Sequence, residues 1–339
     1  MTAPTVLAPT AAPRQVRWLL RLHRPALYAW TGLVLATGAA LLWLRDPLTD
    51  AAADAWQQYN SCAFNGPCLY DQDAILLYKD VYTYTTIAVL AVPFLAAAWA
   101  GAALTGRELE TGTARLAWTQ GVSPARWLAA GLTVPAALVT AGTAVLVLLH
   151  HLAWAAGEGR IDTHKGWSDV PTFYAGGPVT VALALTGLLA GALAGLLLAR
   201  TLAALAAAVV AVAGLWTAVL SALPHLWPSV TRVTALRDGV FSGPGITVDE
   251  GLVTSTGAHV SRPSCGSTAE CGDLGDLGDL YVRLDAVGHY RDYHPRSHYW
   301  PLQLVGTGVL IAVAVLLAVA AFHLLRRRTA AQGREGAAV

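Results

Sequence analysis

Six stretches of this chain, residues 28 to 44, 82 to 105, 127 to 154, 177 to 199, 201 to 223 and 300 to 325, contain no Asp, Glu, Lys or Arg. Helices of about 17 to 25 apolar residues, rising 1.5 Å per residue, cover the roughly 30 Å of hydrocarbon in a bilayer. In that medium every backbone N–H and C=O must be satisfied within the segment, which for runs of this kind means an α-helix. The predicted fold class is therefore an all-α polytopic membrane protein with six transmembrane helices between residues 28 and 325. Only Arg200 separates the fourth run from the fifth, so a tight turn joins two antiparallel helices there. Composition points the same way. The chain is 55% hydrophobic and 13% charged, against about 25% charged in soluble domains, which excludes a disordered chain and argues against a soluble enzyme.

The side of the membrane follows from the basic residues. An inside N-terminus gathers Arg14, Arg17, Arg21, Arg24, Arg107, Arg115, Arg126, Arg200, Arg326, Arg327, Arg328 and Arg334 on one side. Only Glu108, Glu110 and Glu335 oppose them there. The remaining 10 basic and 18 acidic residues fall in longer loops on the other side, so the formal charge of +1 hides a division of +9 against −8. With six spans, both termini are expected in the cytoplasm of a multi-pass plasma-membrane protein.

Residues 1–27 read as a cytoplasmic tail ending in an interfacial helix. Arg14, Arg17, Arg21 and Arg24 recur at helical steps among Val16, Trp18, Leu19, Leu20 and Leu22, and Pro25 stops the pattern. Such a helix lies in the headgroup plane with its arginines toward anionic lipid. The run from Tyr28 to Leu44 is longer than a signal-peptide core and ends in Arg45-Asp46-Pro47 rather than in a small-residue cleavage site, so it reads as a retained span. Residues 326–339 form a second basic tail.

Three segments face outward: 45 to 81, 155 to 176 and 224 to 299. The last is rich in Tyr, Val and Leu and is expected to hold a small folded element. Its tract Gly272 to Leu280 repeats Gly-Asp-Leu three times, without the ligand spacing of a calcium loop, and reads as a solvated turn. All four cysteines fall outside: Cys62 and Cys68 in the first segment, Cys265 and Cys271 in the last, each pair with five residues between. Disulfides persist on that side of a membrane. Four cysteines allow three connectivities, of which two local bridges are the simplest. A metal site is the rival, but no Cys-x-x-Cys spacing is present, and no metal or cofactor is expected.

The two lysines, Lys79 and Lys165, lie in the outward segments, so the chain has no Gly-Lys-Ser/Thr phosphate loop and is not expected to hydrolyse ATP. Carriers coupled to protons or sodium usually place ionisable groups within their spans, and here there are none. His150 and His151 near one end of the third span, His323 near the end of the sixth, and His289, His294 and His298 in the last outward segment are the remaining candidates for buried or metal chemistry. A membrane cofactor enzyme using His150 and His151, or a secondary carrier, is the alternative they leave open. Gly187, Gly191 and Gly195 form a Gly-x-x-x-Gly-x-x-x-Gly stripe on the fourth span, which lets a neighbouring helix approach closely.

The most specific segment is the cytoplasmic loop 106–126, which begins Gly106-Arg107-Glu108-Leu109-Glu110-Thr111-Gly112-Thr113-Ala114-Arg115 and ends Ser123-Pro124-Ala125-Arg126. Leu109, Thr113 and Leu116 would share one face of a short helix before a Ser-Pro turn re-enters the membrane. Arg-Glu-x-Glu-x-Gly-Thr followed by Ser-x-x-Arg resembles the permease subunits of type-2 ATP-binding cassette (ABC) transporters. The segment Tyr293 to Gln303, entering the sixth span, is similar to actinobacterial members. The resemblance covers nearly the whole chain, although relatives often have a basic residue where this sequence reads Ala129-Ala130-Gly131. It implies an exporter permease of amphipathic, drug-like or lipid-like substrates that is not itself an enzyme. Its partners would be a separate ATPase subunit, a second permease copy and membrane lipids, with no nucleic acid. It also implies that Arg107, Glu108, Glu110, Gly112, Thr113 and Arg115 couple the ATPase to the spans.

Overall fold

A computed structural model describes residues 20–62, 68–120, 122–261, 281–282 and 284–335. Six helices among them are long and apolar enough to cross a membrane, one at each charge-free run. The interfacial pattern around Arg14 and Arg17, the Gly-Asp-Leu repeat, and Cys265 and Cys271 lie outside the described residues.

Helix α1 (Arg24–Trp43) is the first span. Pro25 stands in its first turn, where a missing N–H removes no helical hydrogen bond. The chain does not leave the helix at Arg45. A wide π-turn, Leu44–Leu48, accommodates Pro47, the Thr49 hydroxyl donates to Leu44 O at 2.6 Å, and the helix resumes as α2 (Thr49–Asn60). Much of the first outward segment, read from sequence as a connector, is thus helical. Cys62 and Cys68 are paired just beyond it with their Cα atoms 5.4 Å apart.

The second span is α3 (Gln72–Trp99), begun by Asp71, whose carboxylate accepts from Ala74 N–H at 3.1 Å. It starts ten residues before the apolar run because Asp73, Lys79 and Asp80 need not stop a helix that emerges into water. Its far end widens into a seven-residue π-segment, Ala100–Gly106, followed by α4 (Arg107–Glu110) and α5 (Thr113–Thr119). The third span is α6 (Pro124–Gly157). After the short α7 (Val170–Ala175) come the fourth span, α8 (Pro178–Leu198), and the fifth, α9 (Thr201–Ala222). The turn between the last two places Ala199 in the left-handed region, with φ 49°. The sixth span is α10 (Tyr299–Glu335).

The chain divides into two bodies. The first comprises residues up to His164, Tyr174–Trp216 and residues from Thr307 onward. Its centre is α8, of whose most apolar stretch 67% is buried, against 22% for α9 and α10. The glycine stripe explains the difference. A methyl group at Gly187 would stand 2.7 Å from Pro93 O, and one at Gly195 would stand 2.7 Å from Gly106 N. One at Gly191 would overlap Ala97 O. The stripe therefore lies against the backbone of α3 and its π-segment. Hydroxyls buried in this apolar packing bond to carbonyls, as membrane interiors require: Thr186 Oγ1 lies 2.7 Å from Ala182 O in its own helix and 3.1 Å from Leu310 O of α10.

The second body, Lys165–Phe173 with Thr217–Gly306, corrects the all-α expectation. Strands β1 (Val230–Ala235), β2 (Ile246–Thr254), β3 (His259–Ser261) and β4 (Ala286–His294) form an antiparallel sheet in the order β1-β4-β2-β3. In its middle, Tyr290 donates to Asp249 at 2.9 Å, and burial together with that carboxylate pushes the phenol up to about 12. Arg291 ties the loop before β2 to the sheet: its guanidinium donates to Phe241 O (2.9 Å) and Gly243 O (2.8 Å) in the loop and to Thr247 Oγ1 (2.7 Å) on β2. Replacing Arg291 by Leu is expected to cost the sheet roughly 2–3 kcal/mol. Protease cleavage between Phe241 and Ile246 should then accelerate in the membrane-inserted protein, whereas an unchanged rate would mean that Arg291 does not restrain this loop.

Candidate functional site

The loop between the second and third spans begins where α3 widens. Gly101 and Gly106 let the π-segment approach the head of α9: a methyl group at Gly101 would stand 2.9 Å from Ala204 O, and one at Gly106 would stand 3.3 Å from Ala204 Cβ. Thr105 Oγ1 lies within hydrogen-bonding distance of Ala100 O (3.2 Å) in its own segment and Ala192 O (3.1 Å) on α8. Ends of three spans thus meet at the root of the loop.

The two acids of α4 bind in opposite directions. Trp127 Nε1–H, at the start of α6, donates to Glu108 Oε2 at 2.9 Å. Thr201 N–H, at the start of α9, donates to Glu110 Oε2 at 2.8 Å, and the Thr201 hydroxyl donates to the same oxygen. A helix N-terminus presents N–H groups with no partner inside the helix and a positive dipole end, so the Glu110 carboxylate acts there as a cap supplied from another span. Through four residues of α4, the second span is tied to the third and to the fifth.

Beyond α4 the single short helix expected from sequence is broken. Gly112 adopts φ 77°, a left-handed conformation that disfavours a side chain, and α5 starts afresh at Thr113. Thr113 Oγ1 donates back to Glu108 O at 3.1 Å, so Leu109 and Thr113 do not share one helical face. The Ser-Pro turn has a clear origin. Ser123 is the N-cap of α6, its hydroxyl accepting from Arg126 N–H at 3.4 Å, and Pro124 occupies the first turn.

The six residues expected to couple to an ATPase therefore separate. Glu108 and Glu110 bond within the chain, Gly112 makes the turn, and Thr113 closes it. Arg107 and Arg115 are exposed and form no ion pair among the described residues, and Leu116 is 58% exposed beside Arg115. Sequence reasoning did not single out Trp127, Thr201 or Thr105. For Thr201 a signal exists: a threonine at the head of an apolar run, directly after a turn residue, is a helix-start pattern.

The histidines fall elsewhere. His150 shares a 2.9 Å hydrogen bond with Thr86 Oγ1, which joins α6 to α3, and the His151 ring lies 5.7 Å from Trp154. His164 shares a 3.0 Å bond with Tyr78, and burial holds its imidazolium below the ordinary range. In the sheet body His294 shares hydrogen bonds with His298 (3.1 Å) and Pro224 O (2.8 Å). No group of three or more His, Cys, Asp or Glu able to hold a metal occurs among the described residues.

The loop, most of the first span and the second to fifth spans lie within residues 31–223, which match a family model described as ABC-2 membrane transporter related, over more than half of the chain. The chain belongs to this family. No curated protein and no solved structure matches it. It is a permease of the type-2 ABC class, a multi-pass membrane subunit of a transporter. Permeases of this class normally pair with an ATP-binding subunit. The Arg-Glu-x-Glu-x-Gly-Thr loop lies inside the matched residues, whereas the sheet and the sixth span of this permease lie beyond them.

Proposed function

We propose that this permease is the membrane subunit of an exporter in the plasma membrane. It would move an amphipathic, drug-like or lipid-like substrate by alternating access between two permease copies, driven by two copies of a separate ATPase that dock at the cytoplasmic loop 106–126. Both termini lie in the cytoplasm in this reading. The sheet, the Cys62–Cys68 pair, and Cys265 and Cys271 are then extracytoplasmic, as the +9 to −8 charge division favours.

One observation carries the reading. Segment Arg107–Glu110 ties the ends of the second, third and fifth spans together through Glu108 and Glu110, while Arg107, Arg115 and Leu116 are exposed. A partner that displaces the exposed side moves three spans at once. The carboxylates are transmission parts, and the exposed basic and apolar residues are the gripping parts.

The test is co-purification with the phosphate-loop ATPase encoded nearest to this chain. Arg115→Glu together with Leu116→Glu should weaken that complex at least about tenfold, as for central contact residues, without changing the thermal unfolding of the permease alone. Unaltered complex formation would remove the docking role from this loop.

A further inference from the structure

Between the first three spans, at their ends nearest the 106–126 loop, lies a half-open cavity of about 420 Å³. Trp30 and Leu33 of α1, Trp99 and Leu104 of the second span, and Gly131 and Pro135 of α6 contribute to a wall that is almost wholly apolar. Its volume falls in the range of small-molecule sites, roughly 300–1,000 Å³. Its lining also includes an imidazole. His23, immediately before α1, lines the cavity, and its Nε2 is buried with no hydrogen-bond partner among the described residues. The ring stands edge-on to Trp99 with centroids 5.4 Å apart. An unpartnered polar atom in an apolar wall is unfavourable unless something completes it.

The neighbours of His23 say what completes it. Arg21 and Arg24 flank it, both exposed and without an ion pair among the described residues. An apolar cavity, a hydrogen-bonding ring in its lining and two exposed cations next to that ring in the chain match a molecule with an apolar chain, an ester group and an anionic head. We infer that this cavity binds one anionic phospholipid, with an acyl chain inside, an ester oxygen against His23 Nε2 and the phosphate near Arg21 and Arg24.

Burial keeps the His23 ring below its ordinary pKa range, so it stays neutral near pH 7 and presents one N–H donor and one acceptor. Leu104 belongs to the π-segment at the root of the loop, so the bound chain forms part of the packing behind Arg107–Glu110. The site does not depend on the transport reading. It would hold equally if the loop docked no ATPase.

The experiment uses the full chain in vesicles of mixed phosphatidylcholine and phosphatidylglycerol, with a photoreactive diazirine in one acyl chain of either lipid, and maps labelled peptides by mass spectrometry. Photoreactive phosphatidylglycerol should label residues 20–33, 95–104 and 131–139 above the rest of the helical surface, and phosphatidylcholine should not. Gly131→Leu fills the cavity, since the nearest atom to a methyl group there is Leu104 Cδ1 at an ordinary 3.8 Å. It should lower labelling roughly tenfold, the effect of losing about 1.4 kcal/mol of binding. Gly214→Leu, at a glycine with nothing within 4 Å, should leave labelling unchanged. Arg21→Gln with Arg24→Gln should abolish a roughly tenfold preference for the anionic lipid while retaining the fold, as judged by thermal unfolding. Labelling spread evenly over all six spans, equal labelling by the two lipids, or full labelling of a folded Gly131→Leu protein would each overturn the site.

Discussion

Gly191→Ala, the addition of one methyl group, is expected to unfold or severely destabilise this permease, by about 2–3 kcal/mol or more. In an exposed helix the same change would be favourable by nearly 1 kcal/mol, because alanine restricts the unfolded chain and suits the helix better. Here the methyl group would overlap Ala97 O and stand 2.9 Å from Ala97 C and 3.0 Å from Gly101 N. All three are backbone atoms, so no side chain can turn aside to make room. Relief requires the fourth and second spans to separate. That separation would break the Thr105 contact with Ala192 O and open the most enclosed helix of the bundle. Gly214→Ala on the fifth span, where nothing lies within 4 Å, is the matched control and should be neutral or slightly stabilising. Thermal unfolding of both variants in detergent, followed by size-exclusion profiles, decides the matter. Equal midpoints would mean that the two spans do not approach as closely as described.

The glycine stripe shows what could be read from sequence and what could not. Its spacing announces a close helix contact, because glycines four residues apart fall on one face. Nothing in the spacing names the other side, which is a π-segment whose irregularity has no local signature in Ala100–Gly106. The spans were legible because a bilayer tolerates few charges. Their continuations were not, because a helix in water needs no apolar run: α2, with Asp50 and Asp54, and the first turns of α3 lie outside any hydrophobic window. The sheet stayed hidden for a related reason. Strand β1 is exposed along most of its length, so it lacks the alternation that marks a half-buried strand. In the loop, the contacts of the two acids were not legible. Glu108 and Glu110 look like surface charges, since their partners lie 19 and 91 residues further along the chain. Only the fold brings Trp127 and Thr201 to them.

If those two contacts transmit motion, breaking one should uncouple the spans without unfolding them. Glu110→Gln weakens the cap by removing the charge, and Thr201→Pro removes both donors from the other end. Proline is well tolerated in the first turn of a helix, because no intrahelical bond uses that N–H, so α9 should persist. With the ATPase bound, each variant is expected to hydrolyse ATP at close to the normal rate. The nucleotide-dependent movement between the second and fifth spans should fall on the order of tenfold, in line with measured coupling between distant sites. Spin labels at the exposed Leu95 of the second span and Leu202 of the fifth report that movement directly, and no knowledge of the substrate is needed. The double variant should be no worse than either single one, since both remove the same link and contacting residues are not additive. Additive losses would show that Glu110 and Thr201 act through separate routes. Unchanged movement in a folded Thr201→Pro protein would show that the fifth span is driven through Gly101, Gly106 and Ala204 instead, by close packing of the π-segment rather than by the carboxylate.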